Sequence, residues 1–183
     1  MNALLNLQPK NLSNEFVSLK PLQPDDFERL YLVASDPLIW EQHPNKNRYQ
    51  REVFNTYFEG AIESKGAFII LESKTGQAIG SSRFYDYDPI KKTVLIGYTF
   101  LARAFWGTTY NRALKTLMLN YAFTFADSVI FHIGGNNIRS QKAIERLGAM
   151  KIAEEAIAYH GESTNLNFVY EIRKETWKGV IPA

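Results

Sequence analysis

The stretch Thr93-Val94-Leu95-Ile96-Gly97-Tyr98-Thr99-Phe100-Leu101 is apolar on both of its alternating faces, which places it inside a sheet covered on both sides. It leads into Trp106-Gly107-Thr108-Thr109-Tyr110-Asn111. A helix follows, with Tyr110, Leu114, Leu117, Met118, Tyr121 and Phe125 on one stripe. The unit then recurs. Val129-Ile130-Phe131-His132-Ile133 reads as a short buried strand, and Asn137-Ile138-Arg139-Ser140 opens another helix that closes at Gly148. A glycine-marked turn at a helix start aims free backbone N–H groups, and the positive end of the helix dipole, at an anion. Two strand-to-helix units side by side, one with such a turn, point to an enzyme that holds a phosphorylated cofactor between diverging strands.

The remaining pattern fills in one domain. Phe16 to Leu22 alternates as a strand. Pro24, Asp25 and Asp26 suit a first helical turn, and Phe27, Leu30, Tyr31 and Ala34 share a helix face that stops near Asp36-Pro37. His43 to Arg48 reads as loop and Arg51 to Ser64 as a second helix. Strands follow at residues 67–72 and 77–85, separated by Lys74-Thr75-Gly76 and ended by Asp88-Pro89. Two more, near 151–159 and 166–173, finish the chain. The expected fold class is α+β, a mixed sheet flanked by helices. The 183 residues suit one core: a flexible lead-in over 1–15, a single domain over 16–174 and a tail over 175–183.

Composition narrows the chemistry. There is no cysteine, which removes disulfides, thiolate catalysis and cysteine-based zinc sites. The net charge is +2 with no dense basic stripe, so nothing favours nucleic acid, and the aromatics read as core. The three histidines, at 43, 132 and 160, lack metal-ligand spacing, so no metal is expected. No apolar run approaches a bilayer span, and the N-terminus has no secretory pattern. A soluble cytoplasmic protein without a membrane partner is the default expectation.

The element order, with these two motifs in these places, resembles the GCN5-related N-acetyltransferase superfamily over roughly residues 16–173. Within it, the chain looks like the branch of ribosomal-protein N-terminal acetyltransferases. The resemblance implies a mostly antiparallel central sheet splayed between two parallel strands, with helices on both faces. It also implies that the strand through Tyr98, Thr99 and Phe100 lines the pantetheine arm of acetyl-CoA, and that the N–H groups after Trp106 hold the pyrophosphate. The family turn reads Gln/Arg-x-x-Gly-x-Gly/Ala, and in this branch Trp then Gly often opens it. Trp106 takes the first slot and Gly107 follows. Thr109 stands where the first required Gly falls, and Asn111 where the last Gly or Ala falls. Threonine adds bulk and resists positive φ, yet Thr108, Thr109 and Asn111 also bring hydrogen-bonding side chains. The reading is a modified cofactor turn involving residues 106–111, Tyr110 included. A plain helix start with a threonine cap is the alternative.

The second motif, with Ala143, Arg146, Leu147 and Gly148, resembles the family's Asn-x-x-Ser helix start and its closing Lys/Arg-x-Gly-Phe, with Ala149 in place of the aromatic. Asn137 and Ser140 are therefore expected at the cofactor, unless Asn137 is simply an N-cap. Acetyl transfer to an amine needs a base, a polarised thioester carbonyl and a proton for the thiolate. Backbone N–H groups near Tyr98, Thr99 and Phe100 are expected to polarise the carbonyl. His132 falls at the strand position that carries the glutamate base in a related ribosomal-protein alanine acetyltransferase, and is the candidate base; a histidine paired to a backbone carbonyl is the alternative. The tyrosine donor of that relative falls at Ile144, which cannot donate. Ser140, the donor in another relative, is the candidate acid, or else satisfies a backbone group. Arg83, Tyr85 and Tyr159 are candidate contacts to the acceptor, Tyr159 lying in a cluster with His160 and Glu162. The expectation is an acetyl-CoA-dependent transferase acting directly on a primary amine, either a protein N-terminus or a small molecule. A homodimer is compatible with this. The rival is an acyl-CoA sensor or interaction module without transferase activity, favoured by Thr109, Asn111 and Ile144.

Overall fold

The computed structural model describes residues 5–158 and 163–179. Its strands are β1 (Leu12–Ser13), β2 (Val17–Pro21), β3 (Ala67–Glu72), β4 (Ala78–Asp88), β5 (Thr93–Leu101), β6 (Ser128–Gly134), β7 (Met150–Ile157) and β8 (Asn165–Arg173). The helices are α1 (Phe27–Ala34), α2 (Arg51–Glu63), α3 (Tyr110–Ala122) and α4 (Ile138–Glu145). The strands form one sheet in the order β1-β2-β3-β4-β5-β6-β8-β7. Every neighbouring pair is antiparallel except β5 and β6, which are parallel. This is the mixed, mostly antiparallel α+β architecture expected from the sequence.

Alternation along the strands sorts the core into two layers. Phe68 and Ile70 of β3 join α3 (Leu114, Met118) and α4 (Ile144) in one cluster. Ala67 and Ile69 face the other way, onto α1 (Leu30, Ala34) and α2 (Phe54, Tyr57, Phe58). The stripe read along α3 does pack on the sheet, with Leu114 and Met118 fully buried. Helices thus cover both faces, and none among the described residues is long and apolar enough to cross a membrane.

Two irregularities in β5 shape everything near it. First, β5 and β6 pair over only three positions, Thr93↔Ser128, Val94↔Val129 and Leu95↔Ile130, and then part. Second, β5 carries an extra residue against β4: Ser81 pairs with Phe100, but Arg83 pairs with Gly97. Such a bulge shifts the pleat by one. Val94 and Ile96 face α3, and strict alternation would send Tyr98 and Phe100 there too. Instead Tyr98 and Phe100 lie against the α1–α2 layer while Leu101 faces α3. Tyr98 takes φ 52°, a conformation costly for a non-glycine residue. Its neighbours hold it there. The Tyr57 hydroxyl donates to its carbonyl at 2.9 Å, and the Arg83 guanidinium lies 4.0 Å from its ring centroid.

Three features were not foreseen. Within the expected lead-in, Leu12 and Ser13 pair with Leu19 and Ser18 as an edge strand. Pro37–Trp40 forms a 3₁₀ turn that buries Ile39 and Trp40, where only a helix stop was read. In the tail, the Trp177 indole donates to Asn120 at 2.7 Å.

At Gly80 the sheet closes too tightly for any side chain. A Cβ there would lie 2.0 Å from the Phe100 carbonyl oxygen and 3.0 Å from Leu101 Cδ2. Gly80→Ala is expected to destabilise the domain by about 3 kcal/mol, at the upper end of overpacking costs, read as a lowered urea midpoint.

Candidate active site

A cavity of about 360 Å³ lies where the two parallel strands part, walled by Ile96–Leu101 on one side and Phe131–Gly134 on the other. Its far end is the turn into α3. Trp106 is anchored there by its indole N–H, which donates to the Leu101 carbonyl at 2.9 Å. The Arg139 guanidinium of α4 stacks on the Trp106 ring at 3.7 Å and donates to the Ile39 carbonyl at 3.1 Å. Gly107 takes φ 71°, and a Cβ built there would meet nothing within 4 Å. This is an open, glycine-specified corner immediately before the N–H groups of the first α3 turn, which lack intrahelical partners.

That geometry relieves the steric objection raised by Thr109. Thr109 sits at φ −70°, ordinary helical backbone, and makes no capping hydrogen bond; the cap comes from the Thr108 hydroxyl, which accepts from the Tyr110 N–H at 3.4 Å. The positive φ in the turn falls on Gly107 instead.

Of the sequence candidates, Tyr85, Tyr98, Thr99, Phe100, Trp106, Gly107, Asn111, His132, Asn137 and Ser140 all line this one cavity. Four described candidates do not. The Thr108 hydroxyl turns back to the Phe105 carbonyl at 2.6 Å. Thr109 begins the helix. The Tyr110 phenol donates to Glu72 at 2.7 Å, and its ring packs edge-on against Phe16 and Phe105. Arg83 is buried beneath Tyr98, with its Nε lacking a partner among the described residues. Arg83 thus supports the bulge from below. Tyr159, with His160 and Glu162, lies outside the described residues. Asn137 does cap α4, its side chain accepting from the Ser140 N–H at 3.2 Å, and it faces the cavity as well.

His132 stands on β6 opposite Val169 of β8, half-buried at the cavity wall. Burial lowers its pKa, against the opposing pull of Glu155 and Asp86, so at neutral pH the ring is unprotonated and able to accept a proton. His43, given no role by the sequence, also lines the cavity. Burial and the Arg48 guanidinium, 3.3 Å from Nε2, push it down to about 3. Arg48 itself is buried, its guanidinium within 6 Å of the ring centroids of Trp40, Tyr57 and Tyr98.

The residue most completely missed is Lys115. It lies on α3 beside the apolar stripe, is 6% exposed, and lines the cavity. Its Nζ donates to Thr99 Oγ1 at 2.6 Å, and Thr99 Oγ1 is in turn 2.7 Å from Ser82 Oγ. Burial alone pushes the ammonium down to about 7.

A sheet that opens beside its parallel pair, with an anion-accepting turn at the end of the parted strand, defines the class of acyltransferases that draw a thioester cofactor in between two strands. Within that class the family model described as "Acetyltransferase (GNAT) domain" matches residues 17–150. The chain belongs to this family, whose acetyl donor is acetyl-CoA. Solved structures share the architecture. A T. thermophilus protein whose acetyltransferase assignment is provisional is 26% identical with a TM-score of 0.77, covering 98% of this chain and 95% of its own. Mycobacterium smegmatis RimJ in complex with CoA-disulfide is 15% identical (TM-score 0.68; 87% and 82% covered). Spermidine N-acetyltransferase from Vibrio cholerae, in complex with CoA and spermine, is 14% identical (TM-score 0.67; 88% and 98% covered). Comparison with curated protein sequences gives no match.

Burying Lys115 has a measurable signature. Its pKa is about 7 in the fold, against an unfolded value near 10.4, so the unfolded chain binds more protons between those limits. Stability from this group therefore rises with pH across that window, and the penalty is complete below about pH 7. Lys115→Met is expected to exceed wild type in urea midpoint at pH 6, with the gap closing toward pH 10.

Proposed function

We propose that this protein transfers the acetyl group of acetyl-CoA directly to a primary amine, with His132 as the base. The observation that carries this is the convergence of the bulged β5, His132 on β6 and the Gly107 turn on a single cavity. The cavity fits the cofactor: it is open at the Gly107 corner, reaches Asn111 in the first turn of α3, and is cut into the sheet at the other end.

In this reading the N–H groups after Trp106, with the Asn111 side chain, hold the pyrophosphate. Asn137 and Ser140 contact the polar arm. Acetyl-CoA supplies an acyl carbon activated as a thioester. A backbone N–H among Tyr98, Thr99 and Phe100, turned by the bulge, polarises the carbonyl oxygen. His132 removes a proton from the incoming ammonium so that the amine has a lone pair to offer. Ser140, on α4, lines the same cavity, and its hydroxyl can relay a proton. No covalent enzyme intermediate is required.

The acceptor is a protein N-terminus or a small-molecule amine. The resemblance to the ribosomal-protein N-terminal acetyltransferase branch supports the first, and the likeness to a spermidine N-acetyltransferase supports the second. Tyr85, which faces the cavity, and Tyr159 are the proposed acceptor contacts. The binding-only alternative loses the steric part of its case, because Thr109 does not need positive φ.

Acetyl-CoA at 100 times its dissociation constant is expected to stabilise the protein by about 2.7 kcal/mol, read as a raised thermal midpoint; no shift at saturation rejects the proposal. His132→Ala is expected to lower kcat/KM by about 10²-fold and to remove an acidic limb lying below pH 6.5, since the base works when neutral and burial lowers its pKa. A loss below about threefold with an unchanged pH profile takes His132 out of the mechanism.

A further inference from the structure

Lys115 is unexplained by stability. A lysine buried without a carboxylate partner costs free energy that a methionine or leucine would not. Its Nζ has one hydrogen-bond acceptor among the described residues, Thr99 Oγ1. Its position is more telling than its burial. Thr99 belongs to β5 and Phe131 to β6, the two strands that part. The Nζ lies 2.6 Å from the first side chain and 5.8 Å from the ring centroid of the second. The ammonium therefore spans the floor of the gap, on the α3 side of the sheet. Tyr98 and Phe100 occupy the opposite side, toward α1 and α2. A thioester drawn between the strands enters the cavity that Lys115 lines.

We propose that Lys115 is the proton donor to the departing CoA thiolate. The assignment rests on the acetyl-transfer reading above. In the step, the neutral amine forms a bond to the acyl carbon, the carbon–sulfur bond breaks, and its electron pair moves to sulfur. One Nζ proton of Lys115 passes to that sulfur, leaving a neutral amine that water reprotonates. His132, having passed the proton of the incoming ammonium to solvent, takes the second proton that the attacking nitrogen sheds on becoming an amide, so charge and protons balance.

The surroundings suit that task. Among the described residues lining the cavity there is no Asp or Glu, while Arg48, Arg139 and Arg146 are cations and the titratable rings are His43, His132 and the phenols of Tyr85 and Tyr98, which pack on each other, Tyr98 toward the α1–α2 layer. Nothing there holds Lys115 as half of an ion pair; burial alone sets its acidity, near 7. A free thiol titrates at about 8.5, so proton transfer from this ammonium to a thiolate runs downhill. At neutral pH a useful fraction of the lysine still carries its proton. Ile144, on the same cavity, has no proton to give, and the Ser140 hydroxyl is a far weaker acid.

The test is the thiol of bound CoA, titrated by its ultraviolet thiolate absorbance in the wild-type complex. The neighbouring ammonium is expected to hold that thiol about one unit below the free value, still above the lysine's own value near 7. In Lys115→Met the bound thiol is expected to return to the free value or above. In the same variant kcat is expected to fall about 10²-fold, with KM for acetyl-CoA within about threefold of wild type and the basic limb beginning near pH 7 abolished. Lys115→Arg, which keeps the charge but does not titrate, is expected to keep the thiol shift and lose that limb. Ser140→Ala is expected to leave the thiol shift intact. A wild-type thiol titrating at the free value overturns the assignment without any variant, as does an unchanged kcat profile in Lys115→Met. Absence of any thermal shift with CoA is a different failure: it removes the acetyl-transfer reading, and the donor with it.

Discussion

Three residue pairs and no more join β5 to β6, and the site depends on that brevity. Two parallel strands that kept pairing would satisfy each other's backbone and leave no room between them. By parting after Leu95 and Ile130 they expose the inner edge of β5 to a cavity while its outer edge stays bonded to β4. The bulge compounds the effect by exchanging which side chains face each layer. Thr99 is thereby sent toward α3 and Lys115, and Tyr98 toward α2. The cost of holding Tyr98 at positive φ is met by the Tyr57 hydroxyl and by the cation–π contact of Arg83. These buried polar residues of α2 and β4 act at the site without lining it.

Much of the frame was legible from residue patterning. Burial on both faces marked β5 as a central strand, and helical periodicity located the face of α3. The glycine at 107 marked the corner, because only glycine accepts that backbone without cost. These features are local: each is set by residues within a few positions of one another. The bulge is different in kind. It is a mismatch in count between β4 and β5, and a period-two reading of β5 alone has no means of detecting it. Hence Thr99 could be named as a lining residue while its direction, and its lysine partner, stayed hidden.

Lys115 escaped for a related reason. It falls beside the apolar stripe of α3, where a lysine normally lays its stem on the sheet and puts its charge in water. Here the gap between β5 and β6 admits the whole side chain. Arg48 and His43 were passed over because loops carry no periodicity; aromatic rings from a 3₁₀ turn, a helix and a strand enclose Arg48 only in three dimensions. Thr108 and Tyr110 belong to the family's cofactor turn by motif position, yet their side chains turn away from the cavity, which a motif does not reveal. A helix start rotates successive side chains by about 100°, and Tyr110 is turned toward Glu72.

The stack of Arg139 on Trp106 ties together segments far apart along the chain. Its guanidinium reaches back 100 residues to the Ile39 carbonyl, and its amide N–H donates to Gln42. A nascent polypeptide emerging from a ribosome therefore cannot complete this clamp until α4 has left the exit tunnel. Contacts of such long range are made late and slow the search for the native state. A chain that ends before α4 therefore lacks this clamp on Trp106 and the Asn137 and Ser140 wall of the cleft.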